Sequence, residues 1–106
     1  MKQVVLSAAA RADLAAIAVY TRERWGDRQT ETYLAKFKAE FKAGFKALAV
    51  MPNLGRPRDD LATSVRSILV GRHLVFYRQT VTRVTISRIL HARQDIDAAL
   101  DPTLDD

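Results

Sequence analysis

An aromatic stripe in the first half of the chain restricts the folds open to it. Between Asp27 and Met51, large apolar side chains recur at nearly every fourth position: Tyr33, Phe37, Phe41, Phe45 and Leu48. This spacing places them on one face of an α-helix, and that face must be buried against another part of the molecule. Pro52 ends the pattern, because proline lacks an N–H group and clashes with the preceding turn. We therefore predict a long amphipathic helix to about Met51, with Asp27 as its N-cap.

A second helix is predicted before this one. Apolar positions at helical spacing run from residue 8 to residue 24, and Ser7 can cap their start. Gly26 ends the segment, because glycine readily takes the left-handed conformation found after helices. Asp13 is interpreted as a first-turn acid that complements the helix dipole, and Trp25 as a contact between the two helices.

The rest of the chain predicts a small sheet. Short apolar runs bounded by turn residues indicate strands at residues 3–6, 65–70, 73–79 and 83–90. Gly71 and Arg72 suit a two-residue hairpin turn. Residues 53–63 contain two prolines and a glycine without periodicity, and are predicted to form a loop.

The predicted order β-α-α-β-β-β describes an α+β fold. An N-terminal helical hairpin packs on one face of a small, largely antiparallel sheet. We expect a single domain over residues 1–100, which ends in a short helix at residues 95–100, and a flexible tail over residues 101–106.

Several functional classes are excluded by composition. The chain of 106 residues contains no cysteine, so neither a disulfide framework nor a thiolate metal site nor a cysteine nucleophile is available. Paired carboxylates, metal-ligand spacings and phosphate-binding glycine loops are also missing from the sequence, so we expect no metal and no cofactor. Because the N-terminus has no long apolar stretch, we expect a cytoplasmic protein without membrane contact.

Positive charge is concentrated in the predicted sheet. Residues 56–93 contain eight arginines and two acids, whereas residues 95–106 contain five aspartates and no base. Guanidinium groups pair with phosphates and carboxylates, so this pattern indicates an anionic or acidic partner. The acidic end could screen the basic surface within the molecule. The candidate contact residues are Arg66, Arg72, Arg78, Arg88 and Arg93; the alternative is that they are scattered, solvated charges.

Strand periodicity assigns these residues to faces. In an ideal strand over residues 83–90, Arg88 shares a face with Val84 and Ile86 and points away from His91. A β-bulge would change this assignment. In the preceding strand one face holds Leu74, Phe76 and Arg78, and the other holds Val75 and Tyr77.

Three motifs, in this order and spacing, carry a resemblance to a known family. They are Gly55-Arg56-Pro57, Phe76-Tyr77-Arg78 and the run Ile89-Leu90-His91-Ala92-Arg93-Gln94-Asp95. With the residues around them, from Ser7 to about Asp97, they resemble the ParE branch of the ParE/RelE toxin superfamily.

The resemblance implies a toxin of a type II toxin–antitoxin system. Such a toxin is held inactive by a cognate antitoxin, expected to be a ribbon–helix–helix protein whose acidic C-terminal segment folds onto the toxin. Toxins of the ParE branch are understood to act on DNA gyrase, stabilising cleaved DNA, so nucleic acid would be contacted only indirectly or through the antitoxin complex. The face that binds the antitoxin is not assigned by these patterns.

Two activities remain open from the sequence, and a third interpretation is a chain that has lost toxicity and persists as a DNA-autoregulatory partner of its antitoxin. A gyrase poison without chemistry of its own is favoured, because RelE-type enzymes rely on a lysine-rich cluster and no lysine follows Lys46. The rival is a ribosome-dependent messenger RNA endoribonuclease. In it His91 would protonate the leaving 5′ oxygen, Arg66 or Arg88 would stabilise the phosphorane and Tyr77 would stack a base. In the purely structural interpretation, His91 closes the sheet beside Asp95.

Overall fold

The computed structural model describes residues 1–91. Its elements, in chain order, are β1 (Gln3–Leu6), α1 (Ala8–Trp25), α2 (Asp27–Val50), β2 (Arg56–Pro57), β3 (Arg66–Val70), β4 (His73–Gln79) and β5 (Arg83–His91). The predicted helices and the four predicted strands are confirmed to within a residue or two at each end. The helix predicted at residues 95–100 and the tail predicted at residues 101–106 lie outside the described residues.

The strands form one mixed sheet in the order β1-β5-β4-β3-β2. β1 runs parallel to β5, and the other neighbouring pairs are antiparallel. This confirms the α+β arrangement. The prediction that residues 53–63 form only a loop is wrong, because Arg56 and Pro57 pair with Ser67 and Arg66. Pro57 is tolerated there because β2 lies at the edge of the sheet, where a missing N–H group disrupts no ladder.

Two short connections orient the helices. The Ser7 hydroxyl accepts a hydrogen bond from the Ala10 N–H at 3.0 Å and donates one to the Ser87 carbonyl at 2.9 Å, which ties the start of α1 to β5. Gly26 joins the two helices with φ at 79°. The prediction that Asp27 caps α2 is wrong: Gly26 occupies the cap position, and Asp27 is the first helical residue.

The turn between β3 and β4 favours glycine at position 71. Val70 pairs with His73 across the predicted two-residue hairpin, and Gly71 has φ at 60°. A Cβ atom at Gly71 would also overlap the carboxylate of Glu40 on α2. The positive φ therefore favours glycine in this turn, whereas the Glu40 carboxylate ends a flexible side chain that can move aside.

Both helices pack on one face of the sheet and form the larger apolar cluster there. Phe41 and Leu48 of α2 and Ala10 of α1 meet a set of buried sheet residues, namely Val70, Val75, Tyr77, Val84, Ile86 and Ile89. Within residues 1–91, neither helix combines the length and apolar character that crossing a bilayer requires.

A smaller cluster covers the opposite face of the sheet. It contains Val65, Phe76 and Leu90, with Leu61, Ala62 and Leu74 packed against them. Val75 and Phe76 thus point to opposite faces, which confirms the alternation predicted for β4.

We predict that Phe41→Ala destabilises the protein by about 3–5 kcal/mol, because Phe41 is 5% exposed at the centre of the larger cluster. Urea unfolding followed by circular dichroism measures this change. Val81→Ala is the control, since Val81 is 91% exposed and its loss should change the free energy of unfolding by less than about 0.5 kcal/mol. Equal effects of the two substitutions would contradict the described core.

Candidate functional site

A solvent-accessible groove with a volume of about 720 Å³ lies between the helical hairpin and the end of the sheet. Ile17, Tyr20 and Trp25 of α1 and Tyr33 of α2 form its apolar walls. Its polar lining comes from both helix and sheet, namely Asp13, Arg24, Arg72, His73 and His91. No local sequence pattern predicts this groove, because its lining comes from segments that are distant in the chain.

Aromatic rings form a continuous path from the groove into the core. Trp25 contacts Tyr33 edge-on at a centroid distance of 5.3 Å, and Tyr33 lies 6.0 Å from Phe37. His73 packs edge-on against Phe37 at 4.7 Å and against His91 at 5.6 Å. Trp25 therefore joins the two helices, as predicted, and is also part of the groove wall.

His73 is a buried titratable group at the base of the groove. It is 3% exposed. Burial and, to a smaller extent, the charge of His91 lower the pKa of His73 to about 4. Its imidazole is therefore neutral at pH 7. His73 is not among the site residues predicted from the sequence, although its position directly after the hairpin turn, on a strand that faces the helices, is a signal for it.

A β-bulge in β5 decides which residues line the groove. Phe76 pairs with Arg88, but the next residue, Tyr77, pairs with Ile86, so β5 accommodates Ser87 as an extra residue at this point. The predicted alternation of this strand is therefore wrong for Ile89 and Leu90. Ile89 packs with Val84 and Ile86 in the larger cluster, whereas Leu90 packs on the opposite face. An extra residue shifts the side-chain alternation by one position.

The Asp13 carboxylate holds this bulge. It accepts hydrogen bonds from Arg88 Nε at 2.7 Å and Arg88 Nη2 at 2.9 Å, and from the Ile89 N–H at 2.9 Å. The hydrogen bond to Asp13 raises the pKa of Arg88. The interpretation of Asp13 as a first-turn acid is wrong, since the first turn of α1 contains no acid. Its role depends on Arg88, which is distant in sequence.

Arg72 and Arg24 supply positive charge at the rim of the groove. Arg72 occupies the exposed hairpin turn, and Arg24 is exposed near the end of α1. Arg72 also acts on Tyr33: burial and the charge of Glu40 raise the pKa of Tyr33, while the charge of Arg72 opposes this rise. Of the four candidate arginines within residues 1–91, Arg72 is the one that lines the groove.

Arg66 and Tyr77 form a separate structural network. The Tyr77 hydroxyl donates to the Pro52 carbonyl at 2.7 Å and accepts from the Gly55 N–H at 2.8 Å. Arg66 Nη1 donates to the Gly55 carbonyl at 2.7 Å. Tyr77 is fully buried, and burial raises its pKa.

The structure does not bring His91 together with Arg66 and Tyr77. Arg66 pairs with Tyr77, and His91 pairs with His73, four residues away on β4. At the rise of a β-strand, this corresponds to about 13 Å. Of the remaining candidates, Arg78 is half-buried on β4 opposite Thr85, and Arg93 lies outside the described residues.

Comparison with known proteins connects this fold to a family. The sequence model of the family described as "ParE toxin of type II toxin-antitoxin system, parDE" matches residues 4–96. Toxin ParE1 of Caulobacter vibrioides is 38% identical over 100 residues, covering 94% of this chain and 99% of the relative. Toxin ParE1 of Mycobacterium tuberculosis is 36% identical over 97 residues, covering 91% and 95%.

A solved structure supports the fold. The structure titled "Chromosomal ParDE TA system from P. aeruginosa" matches with a TM-score of 0.68 and 22% identity, covering 86% of this chain and 96% of that one. Fold and sequence together define a toxin of a type II toxin–antitoxin system. The chain belongs to the ParE toxin family, as its motifs predicted. Membership implies an antitoxin as partner.

We predict that Asp13→Asn lowers the free energy of unfolding by about 1–3 kcal/mol, because the partly buried Arg88 loses its charged acceptor. A double-mutant cycle with Arg88→Gln, measured by urea unfolding, isolates the interaction. Asp60→Asn is the control: Asp60 pairs with Arg58 at the surface, and its loss should leave stability nearly unchanged. If the losses of unfolding free energy in Asp13→Asn and Arg88→Gln were simply additive, a direct interaction between the two side chains would be contradicted.

The lowered pKa of His73 predicts that the free energy of unfolding depends on pH. Its pKa is about 4 in the folded chain and near 6.5 in the unfolded chain, so the unfolded chain binds more protons between these values. The stability from neutral His73 is therefore complete above about pH 6.5 and is lost as the pH falls towards 4. Urea unfolding between pH 7 and pH 4.5 should show a steeper loss for the native sequence than for His73→Leu. If the free energy of unfolding fell equally with pH in the native sequence and in His73→Leu, the lowered pKa of His73 would be refuted.

Proposed function

We propose that this ParE-family protein poisons DNA gyrase in the cytoplasm, and that a cognate ribbon–helix–helix antitoxin neutralises it. The antitoxin's acidic C-terminal segment folds into the groove between the helical hairpin and the sheet. The toxin itself performs no chemistry: it binds gyrase and stabilises the cleaved-DNA intermediate. The groove is the observation that carries the antitoxin part of this proposal.

The groove suits an amphipathic, acidic peptide. Its walls expose Tyr20 and Trp25 at 61% and 43%, which is apolar surface that a partner helix can bury. Arg24 and Arg72 at the rim can pair with carboxylates. A disordered segment that folds on binding would place its apolar face on these rings and its acidic side chains at the rim.

The separation of the candidate nuclease residues supports the gyrase target over RNA cleavage. Tyr77 is buried and its hydroxyl is hydrogen-bonded, so its ring is unavailable to stack on a base. Arg66 donates to a loop carbonyl, and its position in the sheet lies four residues along β4 from that of His91, which corresponds to about 13 Å. The resemblance of the motifs to the ParE branch also favours gyrase.

The five candidate arginines divide into two groups under this proposal. Arg66 and Arg88 stabilise the fold through their hydrogen bonds to loop carbonyls and to Asp13. Arg72, Arg78 and Arg93 remain the candidates for contact with gyrase, with the antitoxin or with nearby phosphates. Arg72 is the best placed for the antitoxin, because it lies at the groove rim.

We predict that the purified protein, incubated with gyrase and supercoiled plasmid, increases linear DNA several-fold after detergent and protease treatment. Stabilised cleavage complexes release linear DNA under these conditions. An equimolar amount of the antitoxin should abolish the increase, because the toxin is then occupied.

The same preparation is tested on translating ribosomes. Messenger RNA should remain intact with the native sequence. Two results together would instead establish the endoribonuclease. They are RNA cleavage that is lost in His91→Ala and no increase in linear DNA in the gyrase assay. Absence of both effects, with normal growth of cells expressing the protein alone, would identify a chain without toxicity.

A further inference from the structure

Three lysines form a row along α2. Lys38, Lys42 and Lys46 recur every fourth position, and each directly follows a phenylalanine of the aromatic stripe. The row therefore runs along the flank of the helix, and all three side chains are exposed. At a rise of about 1.5 Å per residue, the row spans about 12 Å of the helix axis. None of these three described side chains lines the groove, so the row is a separate surface.

The positive charge of this row is not used within the described fold. No position three or four residues from any of the three lysines holds an acid, so no ion pair along the helix is available to them. Glu40, which lies between Lys38 and Lys42 in sequence, instead reaches the hairpin turn at Gly71. Within residues 1–91, no hydrogen bond or ion pair engages the ammonium group of any of the three.

The stability of α2 does not explain the row. Like charges four residues apart repel each other and destabilise a helix. Bases stabilise a helix when they lie in its last turn, but the last turn of α2 contains none. An anion bound along the row would remove the repulsion, so the arrangement is typical of a surface that meets an anionic partner.

The side chains around the row exclude several classes of anionic partner. Between Ala35 and Lys46, the exposed residues are all alanines and lysines, and the large apolar side chains pack towards the sheet. A helix that binds a membrane surface needs large apolar residues beside its bases. Single-stranded nucleic acid is bound by stacking on aromatic rings, and a protein partner by large anchor residues. The exposed face of α2 between these two positions offers neither.

Duplex DNA has the charge pattern that fits the row. Its phosphates lie on the outside, so binding them requires no apolar or aromatic contact. Each strand carries a phosphate about every 3.4 Å along the duplex axis, which places three or four phosphates along the length of the row. Lysine is a compact point charge on a long stem, and is suited to phosphate contacts that carry no base readout.

We propose that Lys38, Lys42 and Lys46 bind the phosphate backbone of duplex DNA, irrespective of its base sequence. The inference goes beyond the proposed function, in which DNA is held by gyrase, and rests on it only in naming DNA as the duplex that the toxin meets. The row gives the toxin a direct contact with that DNA and leaves the groove free for the antitoxin.

The salt dependence of binding measures the number of phosphate contacts. Fluorescence anisotropy follows binding of the full chain to a labelled duplex of about 20 base pairs, between about 50 and 200 mM salt. In the variant Lys38→Gln, Lys42→Gln, Lys46→Gln, the slope of log K against log salt should be less negative by about 2.7. The native sequence should thus lose about fortyfold more affinity over this range. The variant Lys38→Arg, Lys42→Arg, Lys46→Arg retains the charge and should retain the slope.

A matched control removes the same charge elsewhere. The variant Arg11→Gln, Arg22→Gln, Arg83→Gln also lowers the net charge by three, at exposed positions on α1 and at the start of β5. Its slope should stay close to that of the native sequence. Glutamine and lysine have similar helix propensities, and circular dichroism checks that each variant is folded.

Equal slopes for the two glutamine variants would overturn the proposal, because binding would then follow net charge alone. Failure of the native sequence to bind the duplex at about 50 mM salt would also overturn it. The choice of DNA would be wrong if a single-stranded or duplex RNA of the same length, or vesicles of phosphatidylglycerol and phosphatidylcholine in equal parts, bound more tightly. Gyrase and antitoxin are absent from every measurement, so this proposal and the proposed function fail separately.

Discussion

The contact between Asp13 and the bulge of β5 is the interaction on which the groove depends. A carboxylate from α1 accepts hydrogen bonds from the Arg88 guanidinium and the Ile89 backbone, and so fixes the helix to the strand where the strand's alternation shifts. The shift turns Ile89 towards the helices, where it joins the larger core cluster. Without this shift in alternation, the end of β5 would present other side chains beneath α1.

The aromatic stripe of α2 has two roles because the helix extends beyond the sheet's buried centre. Phe41 and Leu48 are buried between the helix and the sheet, whereas Tyr33 reaches the groove wall beside Trp25. His73 connects the two regions through ring contacts. The same packing that stabilises the core therefore holds the groove walls in place, so a partner can bind there without ordering them first.

The arginines of this sheet are not equivalent, because they differ in burial and in hydrogen bonding. Arg66 and Arg88 use their donors inside the fold, where each lost hydrogen bond leaves a partly buried charge. Arg72 extends from an exposed turn whose glycine is favoured by its backbone conformation. Its charge is available to a partner because the turn, not the core, positions it.

The sequence by itself determined the α+β class, both helices, the four longer strands and the family, because these depend on local periodicity and on motifs such as Gly55-Arg56-Pro57. It also identified the arginines as a group. Only the tertiary structure decided which arginines form hydrogen bonds within the fold, that Asp13 joins α1 to the bulge of β5, and that a groove exists. Those properties depend on residues such as Asp13 and Arg88, which are 75 positions apart. No local pattern records such a pairing, since strand order and the bulge bring the two together.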